Sequence, residues 1–392
     1  MNEKFSYIVV GGGLYGCATA FELASRGHSV ALFEADTLAS GASGGPGQRG
    51  VRANHRDYRE LPLIRLAADM WPGLSEKLGE PTYYERVGSL MLYEREAVGI
   101  RGGLVTARAQ QRVMRDYGVA AELLESAELR GLLPEVSVDV QAAMFCPTDG
   151  VADHGATTRA YANAAARLGA QVVEHSPVAR IQEAANHSID VTLSSGERYV
   201  AERGVVLATN SGTSAVFESL GLSDPPLWSV YPQAIILKVP RSQFPLTQLV
   251  NHNHRVLSVK RIDDDHVMVT GGWLGSSAGT QLEDQIQGNL REAEAVFPLL
   301  AGAEVVAVHT DRAETVTIDQ LPIIDRIPGL GQTYLATGWS GHGFAIAPAV
   351  ASLLAEWMDT GHKPQVLEPF QLDRWDGDGG ALTDDPSLSS SH

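Results

Sequence analysis

Gly11, Gly13 and Gly16 stand between the apolar run Tyr7 to Val10 and a helical stretch that reaches Arg26. A Gly-x-Gly-x-x-Gly pattern carries chemistry in that strand-to-helix context. Gly11 permits the tight turn, Gly13 lets the backbone approach a pyrophosphate, and Gly16 lets helix and strand pack closely. The helix start then offers unpaired N–H groups and the positive end of its dipole to phosphate. A second apolar run, Ser29 to Phe33, ends at Glu34, where an acid accepts hydrogen bonds from ribose hydroxyls and repels a 2′-phosphate. The bland alternative, a glycine turn before a core helix with Glu34 on the surface, has to treat all these features as coincidence. NAD and FAD both satisfy such a unit, so the choice between them rests on the rest of the chain.

The elements that must hold this cradle can be followed along the sequence. Gly27 suits the residue after a helix end, where φ is positive. From Ala39 to Arg59 the chain is rich in Gly, Ser and Arg, as a binding loop would be. Leu61 to Leu78 and Glu122 to Leu133 have apolar residues at helical spacing, whereas Val87 to Tyr93 and Val140 to Phe145 read as strands. Thr157 to Leu168 is a helix of small residues closed by Gly169. The β pattern then continues at Ala170 to Val173, Ile189 to Leu193, Gly196 to Val200 and Val205 to Ala208. A dinucleotide domain thus resumes after an insertion. Ala234 to Val239, Val256 to Lys260 and His266 to Gly271, followed by a helix from Leu282 to Phe297, have the make-up of an antiparallel sheet with a helix on it. Gln332 to Trp357 reads as strand, glycine loop and helix.

Three segments together resemble one family: Gly11-Gly12-Gly13-Leu14-Tyr15-Gly16, Ser40-Gly41-Ala42-Ser43, and Gly338-Trp339-Ser340-Gly341-His342-Gly343-Phe344. They are similar to the FAD-dependent oxidoreductases of the D-amino-acid oxidase superfamily, in the branch of glycine oxidase, sarcosine oxidase and related secondary-amine dehydrogenases. Asp149-Gly150-Val151-Ala152-Asp153 before a helix, Val205 to Asn210, and Thr317 to Ile324 extend the resemblance to about residue 370. It implies a Rossmann-type FAD-binding domain of α/β class made of residues 1–80, 147–225 and 310–370. A second, α+β substrate domain on an antiparallel sheet would comprise 81–146 and 226–309, and residues 375–392 would be a disordered tail.

The same resemblance implies a set of FAD contacts: Gly11, Gly13, Leu14, Tyr15, Gly16, Glu34, Ala35, Gly41, Ala42, Ser43, Gln48, Val178, Thr209, Gly338, Gly341, His342, Gly343 and Phe344. Val178 would give its backbone to the adenine. Backbone N–H groups from Gly338 to Phe344 would face the pyrimidine edge of the flavin, where negative charge gathers on reduction. Arg49 and Arg52 fall where the resembled enzymes place residues facing flavin and substrate. Because a guanidinium matches a carboxylate with paired donors, either suits an amino acid, against the plainer role of a surface arginine. Arg312 is a further candidate. His342 is expected to polarise substrate or bond the flavin, its plainer role being packing at a helix start. Trp273, Trp339, Tyr231 and Gln233 are placed around an amine pocket, although aromatic residues in a sheet more often serve the core.

Two departures bear on substrate and linkage. Ala345 follows the Gly-His-Gly-Phe segment, where sarcosine oxidases carry a carboxylate-binding lysine. The only cysteines are Cys17 and Cys146, so the final third has none to attach flavin. FAD is therefore expected to be non-covalent, with His55 leaving a histidyl link open. The expected reaction is oxidation of a small primary or secondary amine or amino acid, N-methyl or D-amino acid in type, to an imine. Dioxygen or an electron carrier would reoxidise the flavin. The rival readings are one chain of a multi-subunit amino-acid dehydrogenase and an NAD-linked dehydrogenase.

Composition narrows the partners. The chain has 392 residues, with 30 Lys+Arg against 47 Asp+Glu and a formal charge of −17. Such a surface repels phosphate backbones and anionic lipid, which excludes nucleic acid. Two cysteines in no ligand spacing give neither a disulfide framework nor a metal site. No apolar run approaches the roughly 20 residues that span a bilayer, and the first strand leaves no space for a leader. A cytoplasmic protein is expected, with homo- or hetero-oligomers both open.

Overall fold

The computed structural model describes residues 3–45, 47–54, 56–94, 103–271, 274–275 and 277–375. The apolar run that precedes the glycines forms the strand Glu3–Val10, in the middle of an eight-stranded sheet. Parallel neighbours flank it, Arg198–Leu207 on one side and Val30–Phe33 on the other, with Val10 level with Leu207 and Phe33. Gln171–Val173 continues the parallel pairing beyond Val30–Phe33, and Thr333–Thr337 continues it beyond Arg198–Leu207. Ile323–Arg326 closes that edge antiparallel. Strands buried on both faces need no polar alternation, and Tyr7, Ile8, Val9 and Val10 are all buried. Tyr7 and Val9 pack with the helices Leu14–Ser25, His154–Arg167 and Ala347–Thr360. Ile8 and Val10 meet a different core, built with Ile181, Ile189 and Val191 from the antiparallel strands Val178–Glu183 and Ile189–Leu193.

A second eight-stranded sheet runs Glu304–His309, Ala234–Lys238, His266–Thr270, Ser258–Arg261, Leu249–His252, Ser89–Glu94, Val140–Cys146, Glu122–Glu125. Its pairings are antiparallel except where Leu249–His252 meets Ser89–Glu94. Ile286, Ala293 and Val296 of the helix Glu283–Val296 join Ile235, Leu237, Val267 and Val269 in its core. Two small sheets connect these layers. Gln48–Val51 pairs antiparallel with Gly150–Asp153. Leu227–Pro232 lies between Glu314–Thr317 and Leu274–Gly275.

Local readings changed in four places, the first being that the strands read at Gly196 to Val200 and Val205 to Ala208 are one continuous strand, Arg198–Leu207. Glu122–Glu125 is an edge strand and the helix starts only at Ser126, because pairing with Val140–Cys146 overrides helical spacing. Glu125 and Glu128 then cap that helix reciprocally. The stretch Leu61 to Leu78 breaks between Met70 and Leu74 at Pro72 and Gly73. The Gly- and Arg-rich loop contains the strand Gln48–Val51, whose partner lies about a hundred residues along the chain and left no local signal. Of the tail expected at 375–392, Trp375 is described and half-buried under Arg374, whereas residues 376–392 lie outside the described residues, as do Trp273 and His55. No helix among the described residues is long and apolar enough to cross a membrane.

Candidate active site

Each of the N-terminal glycines has a separate steric reason. Gly11 has φ +108°, and a Cβ there would sit 2.5 Å from the Ala208 oxygen. A Cβ on Gly16 would sit 1.8 Å from the oxygen of Gly11, so the first helix crosses the turn at a distance only glycine allows. Gly13 is the N-cap of that helix, extended at φ −74° and ψ 179°, with no side chain capping the N–H groups behind it. A Cβ on Gly13 meets nothing within 4 Å. Open space thus lies over a helix start whose donors are free for an anion. At the end of Val30–Phe33 the Glu34 carboxylate accepts the N–H of Gly12 at 2.5 Å and of Asp36 at 2.8 Å. Ala35 is exposed beside it, while Thr209 follows the strand Arg198–Leu207 across the turn. Val178 opens its strand at the residue paired with Leu193.

The C-terminal glycine segment comes back to this helix. Tyr15, buried in its first turn, donates to the Gly343 carbonyl at 2.5 Å and stacks on Trp339 with ring centroids 3.4 Å apart. Leu14 is also buried. Gly338 and Gly341 take φ of +74° and +79°, and Phe344 packs against Trp71 and His154.

The loop that carries Gly41, Ala42 and Ser43 leads through Gly44, Gly45 and Gly47, all at positive φ, into the strand that holds Gln48 and Arg49. The Arg49 guanidinium donates to the carbonyls of Ser43 and Gly45. The Ser43 hydroxyl donates to the carboxylate of Glu314, at the start of Glu314–Thr317. Burial raises the pKa of Glu314, opposed by Ser43, the Gly341 backbone and the Arg49 charge. Lys260 donates to the Gln48 carbonyl, and burial, then Arg49, push it down to about 7. Burial and the same arginine push His154 down to about 3. A cleft of about 320 Å³ opens here, lined among others by Ala42, Gly45, Arg49, Asp153, His154 and Arg312.

Arg52 points elsewhere. It donates to the Asn54 carbonyl at 2.6 Å, and burial, then Arg56, lower its pKa to about 10. Arg56 donates to the His342 carbonyl at 2.5 Å and lies 3.6 Å from Glu60. Nδ1 of His342 is 3.3 Å from that carboxylate, too poorly aligned for a hydrogen bond. Burial holds His342 below the usual imidazole range against the pull of Glu60. The structure therefore divides the expected arginines into a cleft group around Arg49 and a second group of Arg52, Arg56, Glu60 and His342.

Arg312 is at the cleft rim, exposed and 3.2 Å from Asp311. Gln233 is buried and donates to Gln285 at 3.0 Å, and Tyr231 lies opposite Gly275. Glu314, Lys260, His154 and Glu60 were not among the expected residues. Lys260 alone left a signal, as the first of two cations, with Arg261, that end the run Val256 to Val259.

Glu94, His252 and His254 cluster on the antiparallel sheet at ligand-like distances. Nδ1 of His252 accepts the N–H of His254 at 3.4 Å and of Arg255 at 3.2 Å, which fixes its proton on the Nε2 that faces Glu94. Arg255 already holds Glu94 at 2.7 Å. The group is an ion-pair knot: a protonated ring nitrogen cannot ligate a metal.

With this geometry in place, the sequence matches the profile described as FAD dependent oxidoreductase over residues 6–357. The chain belongs to that family. Glycine oxidase of Geobacillus kaustophilus is 27% identical over 391 residues, covering 97% of this chain and all of its own length. Sarcosine oxidase subunit beta of Rhizobium meliloti is 27% identical over 390 residues, covering 96% of this chain and 89% of the relative. Among solved structures, L-proline dehydrogenase from P. horikoshii superposes with a TM-score of 0.84 at 25% identity, covering 96% and 99% of the two chains. The family's cofactor suits what the chain presents: uncapped helix donors under open space at Gly13 and an acid at Glu34.

Proposed function

We propose that the protein oxidises a small primary or secondary amine or amino acid to an imine, which water then hydrolyses. When bound, FAD supplies the two-electron acceptor for the amine's α C–H bond. Gly11, Gly13 and Gly16 with the first helix hold the pyrophosphate, Glu34 the ribose and the Val178 backbone the adenine. Ser43, Gln48 and Gly338 to Phe344 run along the ring. Arg49 receives a substrate carboxylate, with Arg52 as the second candidate. The two eight-stranded sheets are proposed as the centres of an FAD domain and a substrate domain, with the boundaries read from sequence.

One observation carries this reading. Ser43 of the N-terminal loop and the backbone of Gly341 in the distant C-terminal loop both support Glu314, beside Arg49. Two glycine segments some three hundred residues apart in sequence thus reach the same carboxylate near Arg49, which supports a single site between them. Names of the relatives, glycine oxidase and sarcosine oxidase subunit beta, support the substrate class. The test is anaerobic mixing of the yellow holoenzyme with a panel of N-methyl and D-amino acids. Bleaching of the flavin band by at least one member is expected, and none by any overturns the proposal. Mixing the reduced form with air then separates an oxidase from a dehydrogenase.

The subunit-beta relatives favour a second reading, in which this chain works as one part of a larger assembly. Flavin reduction without steady turnover by the purified chain alone would support it.

A further inference from the structure

Glu314 is a carboxylate that the fold has buried without completing its hydrogen bonds. It is 8% exposed and opens its strand opposite Val230, bonded through Ser43 to the loop whose Ala42 and Gly45 line the cleft. One oxygen accepts the Ser43 hydroxyl, while Oε1 has no hydrogen-bond partner among the described residues. Leaving such an oxygen dry and unpaired is costly.

The neighbouring charges do not fill the gap. Arg49 directs one N–H of each terminal nitrogen to the carbonyls of Ser43 and Gly45 and donates none to Oε1, although its other N–H groups are not used in these bonds. The Tyr15 hydroxyl, kept neutral by burial, already donates to the Gly343 carbonyl. Arg312, two residues before Glu314, is exposed and paired with Asp311. Lys260 donates to the Gln48 carbonyl and not to Oε1. The Gly341 backbone also supports this carboxylate, yet no described group donates to Oε1 in hydrogen-bond geometry, which leaves that oxygen open to a donor from a ligand. Glu314 and Arg49 together present opposite charges side by side, the complement of an amino-acid zwitterion.

We infer that Glu314 receives the substrate's amino group, binding it as the ammonium and taking one N–H proton onto Oε1. The N–H bond breaks with its electron pair left on nitrogen, an O–H bond forms on Glu314, and an ion pair becomes two neutral groups. The freed lone pair is what lets hydride leave the adjacent carbon. Burial suits Glu314 to this, since it raises the carboxyl's proton affinity, while Ser43, the Gly341 backbone and the Arg49 charge favour the ionised form. The inference rests on the amine-oxidation reading.

The test compares FAD-loaded wild type with Glu314→Gln and Glu314→Asp, following flavin reduction anaerobically across pH with the best amine of the panel. Wild type should show an acid limb in kcat/KM governed by a group above the ordinary glutamate range. The Gln variant should lose that limb and raise KM about tenfold or more. The Asp variant should restore the limb in part. An unchanged limb and KM in Glu314→Gln reduce the residue to a structural post and overturn the inference.

A second measurement needs no turnover and no variant. Choline and its neutral isostere 3,3-dimethylbutan-1-ol are titrated into wild type, read by the flavin spectrum. Choline should bind about tenfold tighter or more, with the preference fading as pH falls and Glu314 is protonated. Equal binding at every pH overturns the inference even where the Gln variant fails to load FAD. Wild type that prefers choline but is reduced by no amine would refute amine oxidation and leave Glu314 as a cation site.

Discussion

A methyl group added at Gly16 would meet the Gly11 oxygen at 1.8 Å, whereas one added at Gly13 would meet nothing within 4 Å. The two glycines are therefore separable by experiment. Gly16→Ala should destabilise the fold by about 3 kcal/mol or more, at the upper end of overpacking costs, because backbone must move. Gly13→Ala should unfold within about 1 kcal/mol of wild type and lose affinity for FAD, since its methyl fills the space kept for phosphate. Thermal unfolding paired with FAD titration reads both, and wild-type FAD affinity in Gly13→Ala would remove the pyrophosphate from that spot. Arg49→Ala and Arg52→Ala belong to the same level of description. Loss of a charge-assisted contact worth about 1.5–3 kcal/mol should raise KM for an amino acid about tenfold or more. The larger effect is expected at Arg49, which lines the cleft; steady-state kinetics with an amino acid and its decarboxylated amine would show whether a carboxylate is being read.

Among the secondary-structure elements, the short ribbon of Gln48–Val51 and Gly150–Asp153 does the positioning, and Asp149 secures its end. Its carboxylate accepts the N–H of Ala53 at 2.9 Å and the hydroxyl of Ser89 at 2.6 Å, tying the arginine segment to the strand Ser89–Glu94. Asp149→Asn would turn an amide NH2 toward groups that are all donors, and should cost about 1–3 kcal/mol. Burial raises this carboxyl from 3.8 to about 6 against the opposing bonds and Arg52. On folding between those two values the group takes up a proton, so the stability it contributes falls as pH rises through that window. The advantage of wild type over Asp149→Asn should accordingly shrink between pH 4 and about 6 and level off above it, measured by urea unfolding at matched temperature. A constant difference would show that the carboxyl titrates normally.

For the molecule as a whole, the N-terminal turn, the Ser43 loop, the Arg49 strand and the C-terminal glycine segment meet where the parallel and antiparallel layers approach each other. A ligand that bridges them stabilises the folded state by mass action, about 2.7 kcal/mol at a hundredfold excess over Kd. Saturating FAD added to apoprotein should therefore raise the Tm by several degrees. A Tm indifferent to FAD would mean that the cleft is not its site.

Much of this was legible before any coordinates. The first βαβ unit was, because strand, glycine turn, helix and acid are all contiguous and each obeys a local rule. So was the family, because its glycine segments keep their spacing and residue types. What could not be read from a linear string was anything set by partners far apart in the chain. Glu122–Glu125 gave up helical spacing for an edge pairing, and the ribbon under Arg49 needed residues 150–153 to exist. Arg49 and Arg52, three residues apart, went to different surroundings, and Glu314 became a site residue only when burial left its oxygen without a donor. Periodicity and steric rules act between neighbours in sequence, whereas desolvation and charge act between neighbours in space, and those neighbours exist only once the chain has folded.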